Sequence, residues 1–331
     1  MYIKPAWALD DVLLVPKHSD IESRENVDIS VDLGKGTLLS VPIASSNMAN
    51  ITGVDMANAI SNYGGLPILH RFASFSDTLK MFRSVDGTVG CSVGVKEDDQ
   101  SKVDSLVDAG CRVICVDVAH GHNNNCARMV EYIAKRYPNV LLIAGNVATA
   151  SGAIFLHNAG ADIIKTNVGS GSICSTRIET GNGVPSLTAL EDVYIASCLG
   201  SHRKYKIMAD GGFKRAGDLC KGLCFSDVVM LGNMLAGTDE APGNIVSIDG
   251  YVYKEYSGSS THKSRYVEGV KSLVPCKGPV KAVLDHIVQG LRSGLSYQGA
   301  HNLEELREDP EFVSITNSGL VESHPHNVKI L

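Results

Sequence analysis

The chain lacks several features that would place it outside the class of ordinary cytoplasmic proteins. No apolar run approaches the roughly 18 residues that a membrane-spanning helix requires. The start, Met1–Asp11, has one lysine and no apolar core, which argues against a secretory signal. Nine cysteines are present, but the pairs Cys111/Cys115 and Cys220/Cys224 lack the second pair of ligands that a zinc site needs. We therefore expect reduced thiols and a cytoplasmic location.

An excess of positive charge is also absent. The 331 residues include 30 Lys and Arg against 36 Asp and Glu, which gives a net charge of −6 and a pI of about 6.0. Such a balance predicts no general affinity for nucleic acid or for an anionic membrane, so an anionic ligand would need a local site. Apolar residues make up 44% of the chain, enough for a sizeable core.

Short apolar runs recur along the chain, and segments with helical apolar spacing separate them. Strands that alternate with helices indicate a parallel sheet, and eight near-continuously apolar strands favour a closed (β/α)8 TIM barrel. An open doubly wound sheet is the alternative, but no GxGxxG motif follows the first strand. The predicted strands are Pro42–Ser46, Gly65–Leu69, Val89–Val95, Val113–Val116, Val140–Ala144, Ile163–Thr166, Lys206–Ala209 and Asp227–Leu231. The predicted helices are Val54–Tyr63, Asp98–Ala109, Asn125–Arg136, Ala150–Asn158, Leu187–Leu199 and Ala216–Leu223.

The part that follows the eighth strand is predicted to be an extension of the barrel. We expect one domain over residues 1–331, with the barrel core at about 40–240 and a loop, helix and tail at 241–331. Within the extension, Thr238–Gly250 has a loop-like composition, Tyr251–Tyr256 has the pattern of a short strand, and Val280–Leu291 that of a helix. The final Glu322–His326 stretch contains two histidines, for which a solvated tail is favoured over a metal site.

The residues that directly follow the predicted strands are mostly glycine or polar. In a TIM barrel these positions form the active-site face. They include Asn47, Arg71, Asp117, Asn146, Asp210-Gly211-Gly212 and Gly232-Asn233. The last two groups end strands seven and eight, where barrels often bind phosphate through loop N–H groups.

The loop after the sixth strand contains a cysteine in an unusual setting. Cys174 follows two glycines and two serines and precedes Ser175-Thr176-Arg177. Such a loop offers free backbone N–H groups to an anion and presents a thiolate nearby. A loop cysteine without a function is the alternative interpretation.

Many motifs of the chain resemble those of the family that comprises IMP dehydrogenase and GMP reductase. The resemblance extends over nearly the whole length, and its separate signatures occur in the family's order. The matching stretches are Asp10–Pro16, Ser23–Asp28, Pro42–Met48, Asp117–His122, Ala144–Thr149, Ser172–Arg177, Thr180–Pro185, Ala209–Gly212 and Met230–Gly232.

Within the family, three features favour the reductase. The regulatory domain that the dehydrogenase usually carries after the second strand is absent, because only a short segment separates Ser74 from Thr88. The pair Arg265-Tyr266 stands one residue from Glu268, which leaves no room for the dehydrogenase flap. His70–Phe72 and Tyr256–Ser260 resemble the shorter bacterial reductases.

Other features resemble the dehydrogenase or depart from the family pattern. The Glu322–His326 tail resembles the dehydrogenase. Asn167 and Ser170 stand where the family normally has Gly and Pro, and Ala49 replaces a common Asp. These departures suggest a divergent member with an altered substrate preference.

The resemblance implies a mechanism and a set of site residues. Cys174 would attack C2 of the guanine ring of GMP, Thr176 and Glu268 would transfer protons, and NADPH would reduce the adduct to IMP. The nucleotide would be bound by Ser172, Asp210, Gly211, Gly212, Gly232, Asn233, Tyr256, Ser259 and Ser260. The cofactor would lie near Asp117, Arg71 and Asn146. A monovalent cation such as K+ would be held at Gly169, Gly171 and Cys174, and the chain would form a homotetramer.

Two alternatives remain open. The first is a flapless oxidoreductase that resembles IMP dehydrogenase and oxidises IMP to xanthosine monophosphate. The second is a nucleotide-binding barrel with weak activity, which the departures at Asn167 and Ser170 suggest. The residues alone do not choose between ribose and deoxyribose nucleotides or between NADPH and NADH.

Overall fold

The computed structural model describes residues 3–200, 202–258 and 269–329. Eight parallel strands close into a barrel, in which each strand pairs with its neighbour along the chain and the eighth returns to the first. The predicted (β/α)8 barrel is therefore confirmed. The barrel strands are β4 (Ile43–Ser45), β5 (Leu66–Leu69), β6 (Gly90–Val93), β7 (Val113–Asp117), β8 (Leu141–Val147), β9 (Ile163–Thr166), β10 (Lys206–Asp210) and β11 (Val228–Leu231).

Helices cover the outside of the barrel between these strands. Several begin at a side chain that accepts a hydrogen bond from the first turn: Ser74 from Asp77 N, Asn123 from Cys126 N, and Thr149 from Gly152 N. The helices are α1 (Val54–Tyr63), α2 (Phe75–Arg83), α3 (Glu97–Asp108), α4 (Asn124–Arg136), α5 (Ala150–Asn158), α6 (Thr176–Thr180), α7 (Ser186–Ser197) and α8 (Ala216–Leu223).

The sequence analysis missed two of these helices, and the larger is α2. It occupies the short connection between β5 and β6, the place where the dehydrogenase usually carries its regulatory insertion. Only Thr78 of its nine residues is buried, and its apolar residues Phe75, Leu79, Met81 and Phe82 are partly buried against the core. The five-residue α6 begins two residues after Cys174 and was expected to be loop.

The interior of the barrel is apolar because both faces of its strands are covered. Seven of the eight barrel strands have an unbroken or nearly unbroken run of buried residues, which explains why they read as continuous apolar segments. Lys165 in β9 is the exception in this core, since it is a charged residue of which only 2% is exposed.

Two short antiparallel pairs precede or close the barrel. Strands β2 (Val31–Gly34) and β3 (Thr37–Leu39) form a hairpin. Strand β1 (Val12–Leu14) pairs with β15 (Phe312–Ser314), so a segment before the barrel lies beside one that follows it.

The C-terminal extension contains a sheet where the sequence analysis expected a loop. Residues Thr238–Gly250 were predicted to be loop, but Ile245–Ile248 forms β12, which pairs with β13 (Tyr251–Ser257). The turn between them is Asp249-Gly250, with both φ angles positive, a strong hairpin signal that the composition argument overlooked. Strand β14 (Lys271–Pro275) completes the sheet. Helices α9 (Val280–Tyr297), α10 (Leu303–Glu308) and α11 (Asn317–Glu322) follow.

Among the described residues, no helix combines the length and the apolar character needed to cross a membrane.

Candidate active site

A cavity of about 450 Å³ opens at the carboxyl ends of the barrel strands. A second cavity of about 100 Å³ adjoins it and shares residues such as Ser170, Asp210 and Tyr256. The site therefore has two connected compartments at the face where TIM barrels carry their chemistry. The larger is lined by Cys174, Asp117, Lys165 and Asn146, and the smaller by Ser172, Gly212, Gly232 and Asn233.

Cys174 lies at the edge of the larger compartment, in the loop between β9 and α6. It is exposed, and its Sγ is 3.1 Å from the hydroxyl of Thr176. The loop is bonded to the extension: Cys174 forms an antiparallel bridge with Gly269, and Val270 N donates to Ile173 O at 3.2 Å. A sulfur nucleophile and a hydroxyl that can pass a proton thus share one side of the cavity.

Hydrogen bonds from Arg177 stabilise the conformation of the cysteine loop. Its Nε donates to Val168 O at 3.0 Å, and one terminal nitrogen donates to Val184 O at 2.6 Å. The stem of Arg177 passes so close to Gly169 and Gly183 that a Cβ on either would come within 2.7 Å of its Cγ. Larger residues at these two positions would displace the arginine and with it the cysteine loop.

The structure accommodates Asn167 and Ser170, the two departures from the family pattern. Asn167 adopts a φ of +90°, a region that glycine enters freely and asparagine more readily than most residues. The hydroxyl of Ser170 donates to Asp210 O at 3.0 Å, a bond that a proline could not make. The loop path therefore accommodates both residues, although Asn167 Oδ1 is buried without a hydrogen-bond partner in the described part of the chain.

The smaller compartment is lined in part by residues whose backbone N–H groups are unpaired. Gly211 and Gly212, which line it, have φ angles of +79° and +91°, a region that favours glycine. The N–H groups of Gly211, Gly212, Gly232 and Asn233 donate to no other group within residues 3–200, 202–258 and 269–329. Such a set of unpaired amides suits an anion.

Tyr256 closes this compartment from the extension. Only 2% of the residue is exposed, and its hydroxyl contacts the Ser172 side chain. Burial raises the pKa of the phenol above its ordinary value, so the hydroxyl stays a neutral donor at physiological pH.

Three charged side chains meet at the floor of the larger compartment. Lys165 Nζ lies 2.8 Å from Asp117 Oδ1 and 2.6 Å from Asp210 Oδ2. Asn146 Nδ2 also donates to Asp210 Oδ2, at 2.9 Å, and to Asn167 O at 2.8 Å. These residues come from β7, β8, β9 and β10, so the closing of the barrel is what brings them together.

The charges of this cluster stabilise one another. Burial by itself would lower the pKa of Lys165, but the Asp117 and Asp210 carboxylates raise it above its ordinary value. Burial likewise opposes ionisation of Asp117, but the Lys165 ammonium outweighs it and lowers the pKa of that carboxyl. Lys165 and Asp117 are therefore both charged at neutral pH.

The residues that the resemblance implies for the cofactor belong to this cluster or line the same compartment. Asp117, Asn146 and Arg71 all line the larger compartment. The Arg71 guanidinium stacks over Phe72 at 4.8 Å from the ring centroid. Asn47, which also contacts Asp117, donates to Ser92 Oγ at 2.8 Å and so extends the polar network across the barrel.

A model of the IMP dehydrogenase / GMP reductase domain matches residues 6–326. The chain belongs to this family of oxidoreductases. Inosine-5′-monophosphate dehydrogenase of Nitrosopumilus maritimus is 31% identical, with 100% of both chains covered. GMP reductase of Leishmania major is 41% identical over 77% of this chain and 57% of its own length. A crystal structure of Trypanosoma brucei GMP reductase with guanosine 5′-monophosphate superposes with a TM-score of 0.92, at 29% identity and 99% coverage of both chains.

The structure brings most of the sequence-predicted site residues of the family to this one face. Cys174, Thr176, Asp117, Arg71, Asn146, Asp210, Gly211, Gly169 and Gly171 line the larger compartment, and Ser172, Gly212, Gly232 and Asn233 line the smaller one, with Tyr256 at both. Glu268, Ser259 and Ser260 lie outside the described residues.

Sequence reasoning missed Lys165 and the Asn47–Ser92 pair. A signal for Lys165 existed, because a lysine interrupts the otherwise apolar strand Ile163–Thr166. A charged residue in a buried strand needs a partner, but the sequence did not show which carboxylates lie beside it.

Proposed function

We propose that this protein is an NADPH-dependent GMP reductase, which converts GMP to IMP and ammonia through a covalent bond between Cys174 and the purine. The proposal rests mainly on the position of Cys174. Its Sγ lies 3.1 Å from Thr176 Oγ1, and the residue lines a cavity that continues into the glycine-lined compartment. A nucleotide bound with its phosphate among those glycines would extend its base towards the sulfur. The Trypanosoma brucei reductase, solved with GMP, has the same fold over its whole length.

The nucleotide would be held from its phosphate to its base. Amides of Gly211, Gly212, Gly232 and Asn233, with the hydroxyls of Ser172 and Tyr256, would bind the phosphate. Asp210, at the junction of the two compartments, would accept the ribose hydroxyls. Ser259 and Ser260 are proposed to contact the base on the strength of the resemblance alone.

The first chemical step would be attack by the Cys174 thiolate on C2 of guanine. A carbon–sulfur bond forms, and the exocyclic amino group leaves as ammonia once it has gained a proton. Thr176 is in contact with the sulfur and could pass that proton from Glu268 to the leaving nitrogen. The product of this half-reaction is a purine attached to the enzyme through C2.

The second step would return the enzyme to its starting state. NADPH, when bound, supplies a hydride to C2. The carbon–sulfur bond then breaks, and the electron pair of that bond returns to Cys174 as thiolate. In sum, GMP, NADPH and two protons give IMP, NADP+ and an ammonium ion.

The residues present are compatible with both implied groups. Asp117, Asn146 and Arg71 offer an acceptor, an amide and a cation on the side of the cavity away from the phosphate compartment, and would hold the cofactor. For K+, the loop offers the carbonyls of Gly169, Gly171 and Cys174, and Gly169 O accepts no hydrogen bond from the described residues. Carbonyl oxygens are suitable ligands for such a cation.

Two short connections favour the reductase over the dehydrogenase. Helix α2 alone spans the connection from β5 to β6, so the regulatory insertion is absent. Residues 258–270 alone join β13 to β14, and they contain Arg265-Tyr266 and Glu268 too close together for a dehydrogenase flap.

A dehydrogenase remains the second candidate because relatives with that name are at least as similar. Inosine-5′-monophosphate dehydrogenase of Aquifex aeolicus is 45% identical over 73% of this chain and 52% of its own length. In that case water, rather than hydride, would react with the adduct.

Steady-state assays separate the candidates. We expect GMP with NADPH to give IMP and ammonia in equal amounts, and IMP with NAD+ to give no xanthosine monophosphate. Cys174→Ala should abolish NADPH oxidation, whereas Cys276→Ala, at another exposed cysteine, should leave it unchanged. Turnover of IMP to xanthosine monophosphate would overturn the reductase proposal, and nucleotide binding without either reaction would favour a binding protein.

The remaining expectations are predictions of the same proposal. We propose a homotetramer, as the resemblance implies, and a cytoplasmic location, as the cysteine content indicates. Sedimentation of the purified protein would test the first, and cell fractionation the second.

A further inference from the structure

Lys165 joins the nucleotide and cofactor sides of the cavity floor. It contacts Asp210, proposed for the ribose, and Asp117, proposed for the cofactor, at 2.6 and 2.8 Å. Only 2% of its side chain is exposed, whereas the two carboxylates keep 21% and 20% of theirs. Lys165 therefore offers a ligand little surface, and its two partners are the more accessible groups.

The two oxygens of Asp210 have different surroundings. Oδ2 accepts from Lys165 Nζ and from Asn146 Nδ2, at 2.6 and 2.9 Å, which uses the two lone pairs of that oxygen. Oδ1 accepts from no side chain or backbone group in the described ranges 3–200, 202–258 and 269–329. The carboxylate is therefore anchored by one oxygen and presents the other to the cavity.

We propose that Lys165 is a positioning residue that fixes Asp210 with Oδ1 facing the ribose, and that it thereby makes the site selective for ribonucleotides over 2′-deoxyribonucleotides. This inference rests on the proposed function, because that proposal places the ribose beside Asp210. A fixed carboxylate oxygen can accept from the adjacent 2′ and 3′ hydroxyls of a ribonucleotide. A deoxyribonucleotide would leave part of that acceptor unsatisfied.

The selectivity should be measurable because the acceptor is a partly buried carboxylate. Hydrogen bonds to charged groups, and buried acceptors left without a donor, alter binding by about 10- to 100-fold per group. Without Lys165, the Asp210 carboxylate would keep only the bond from Asn146 among the described residues, and it could rotate. The preference for the 2′ hydroxyl should then shrink to about threefold or less, since a mobile carboxylate gives up most of that difference.

A merely structural role for Lys165 must be separated from this positioning role. The ammonium and the two carboxylates have a formal net charge of −1 together, so Lys165→Met alone would leave two partly buried carboxylates without the ammonium that they share. The double variant Lys165→Met/Asp117→Asn keeps the net charge at −1 and retains Asp210. If Lys165 served only to neutralise charge, the double variant would recover the selectivity of the parent.

The experiment is isothermal titration calorimetry of GMP and 2′-deoxy-GMP without cofactor. The parent should bind GMP about 10- to 100-fold more tightly than 2′-deoxy-GMP, and both Lys165 variants should lose that ratio mainly through weaker GMP binding. Lys221→Met is the matched control: Lys221 is also buried, donates to Leu9 O at 2.6 Å and pairs with Asp218, all outside the cavity. It should lower the melting temperature but keep the ratio.

The outcomes distinguish this inference from the proposed function. Equal affinities of the parent for GMP and 2′-deoxy-GMP, or a double variant with the parent's ratio, would overturn the role of Lys165 while leaving the reductase proposal intact. A parent that selects GMP through Lys165 but does not oxidise NADPH would support the inference and overturn the reductase proposal. A parent that binds no purine nucleotide would overturn both.

Discussion

The two compartments of the cavity offer a ligand different kinds of groups. The smaller one offers main-chain amides at Gly211, Gly212 and Gly232, where the backbone itself would be the donor. The larger one offers side chains from four strands, with Lys165 between Asp117 and Asp210. A backbone site needs a local conformation, whereas a side-chain cluster needs the whole barrel to close correctly, and the two should therefore fail in different ways when mutated.

The largest effect is expected at Cys174, which lies at the edge of the larger compartment. Cys174→Ala should lower kcat by about 10⁴-fold or more, as expected for the loss of a nucleophile, while GMP still binds within about threefold of the parent because the proposed phosphate and ribose contacts stay the same. Stopped-flow kinetics and calorimetry measure the two quantities. Turnover that survived in this variant would show that the chemistry does not pass through the sulfur.

The second-largest effect is expected from a Cβ added to a glycine of the smaller compartment, which should impair nucleotide binding. Gly211 has a φ of +79°, and a Cβ there would lie 3.1 Å from Ser170 Oγ, so Gly211→Ala should raise the KM for GMP by about tenfold or more through strain and a displaced amide. Gly217→Ala is the control, since a Cβ there meets nothing within 4 Å in the helix α8; it should raise stability slightly. An unchanged KM in the first variant would argue against a role of this turn in binding.

The charged cluster in the larger compartment should make the stability of the fold depend on pH, whereas the amides of the smaller compartment should not. Lys165 lowers the pKa of Asp117 below the ordinary value of 3.8, so the carboxylate stabilises the fold above about pH 4 and that stabilisation is lost as pH falls through the lower, folded-state pKa. Asp117→Asn should therefore reduce the free energy of unfolding at pH 7 by about 1–3 kcal/mol.

Urea unfolding of the parent and of Asp117→Asn across pH 7 to 3 measures this difference. It should shrink as the pH falls below about 4. A difference that stayed constant down to pH 3 would contradict the coupling between Asp117 and Lys165.

The smallest effect is expected at Tyr256, whose hydroxyl reaches the backbone compartment from the extension. Tyr256→Phe should raise the KM for GMP by about threefold to tenfold, the effect of one neutral hydrogen bond. Thermal unfolding should change little because the ring stays buried. A loss of binding as large as that in Gly211→Ala would mean that the side chain, rather than the amides, dominates phosphate recognition.

Features encoded by a local stretch of sequence could be predicted, whereas clusters formed by residues distant in the chain could not. The eight strands and most helices were predicted because each is encoded by its own apolar pattern, and Asp210-Gly211-Gly212 was recognisable as a turn. Lys165 was not, since its meaning depends on Asp117 and Asp210, which lie far away in the chain. The hairpin at Asp249-Gly250 was missed for another reason: its strand β12 is only four residues long, and its apolar residues were included in the loop-like stretch Thr238–Gly250.

The bridge between Cys174 and Gly269 also affects which insertions such a chain can accept during evolution. Gly258 lines the cavity and Gly269 is bonded to the cysteine loop, so the segment between them starts and finishes at fixed anchors. Because the entropy of closing a loop rises only slowly with its length, extra residues inserted here would cost the barrel little stability. Segments of very different length can therefore join Gly258 to Gly269 while the barrel itself stays unchanged.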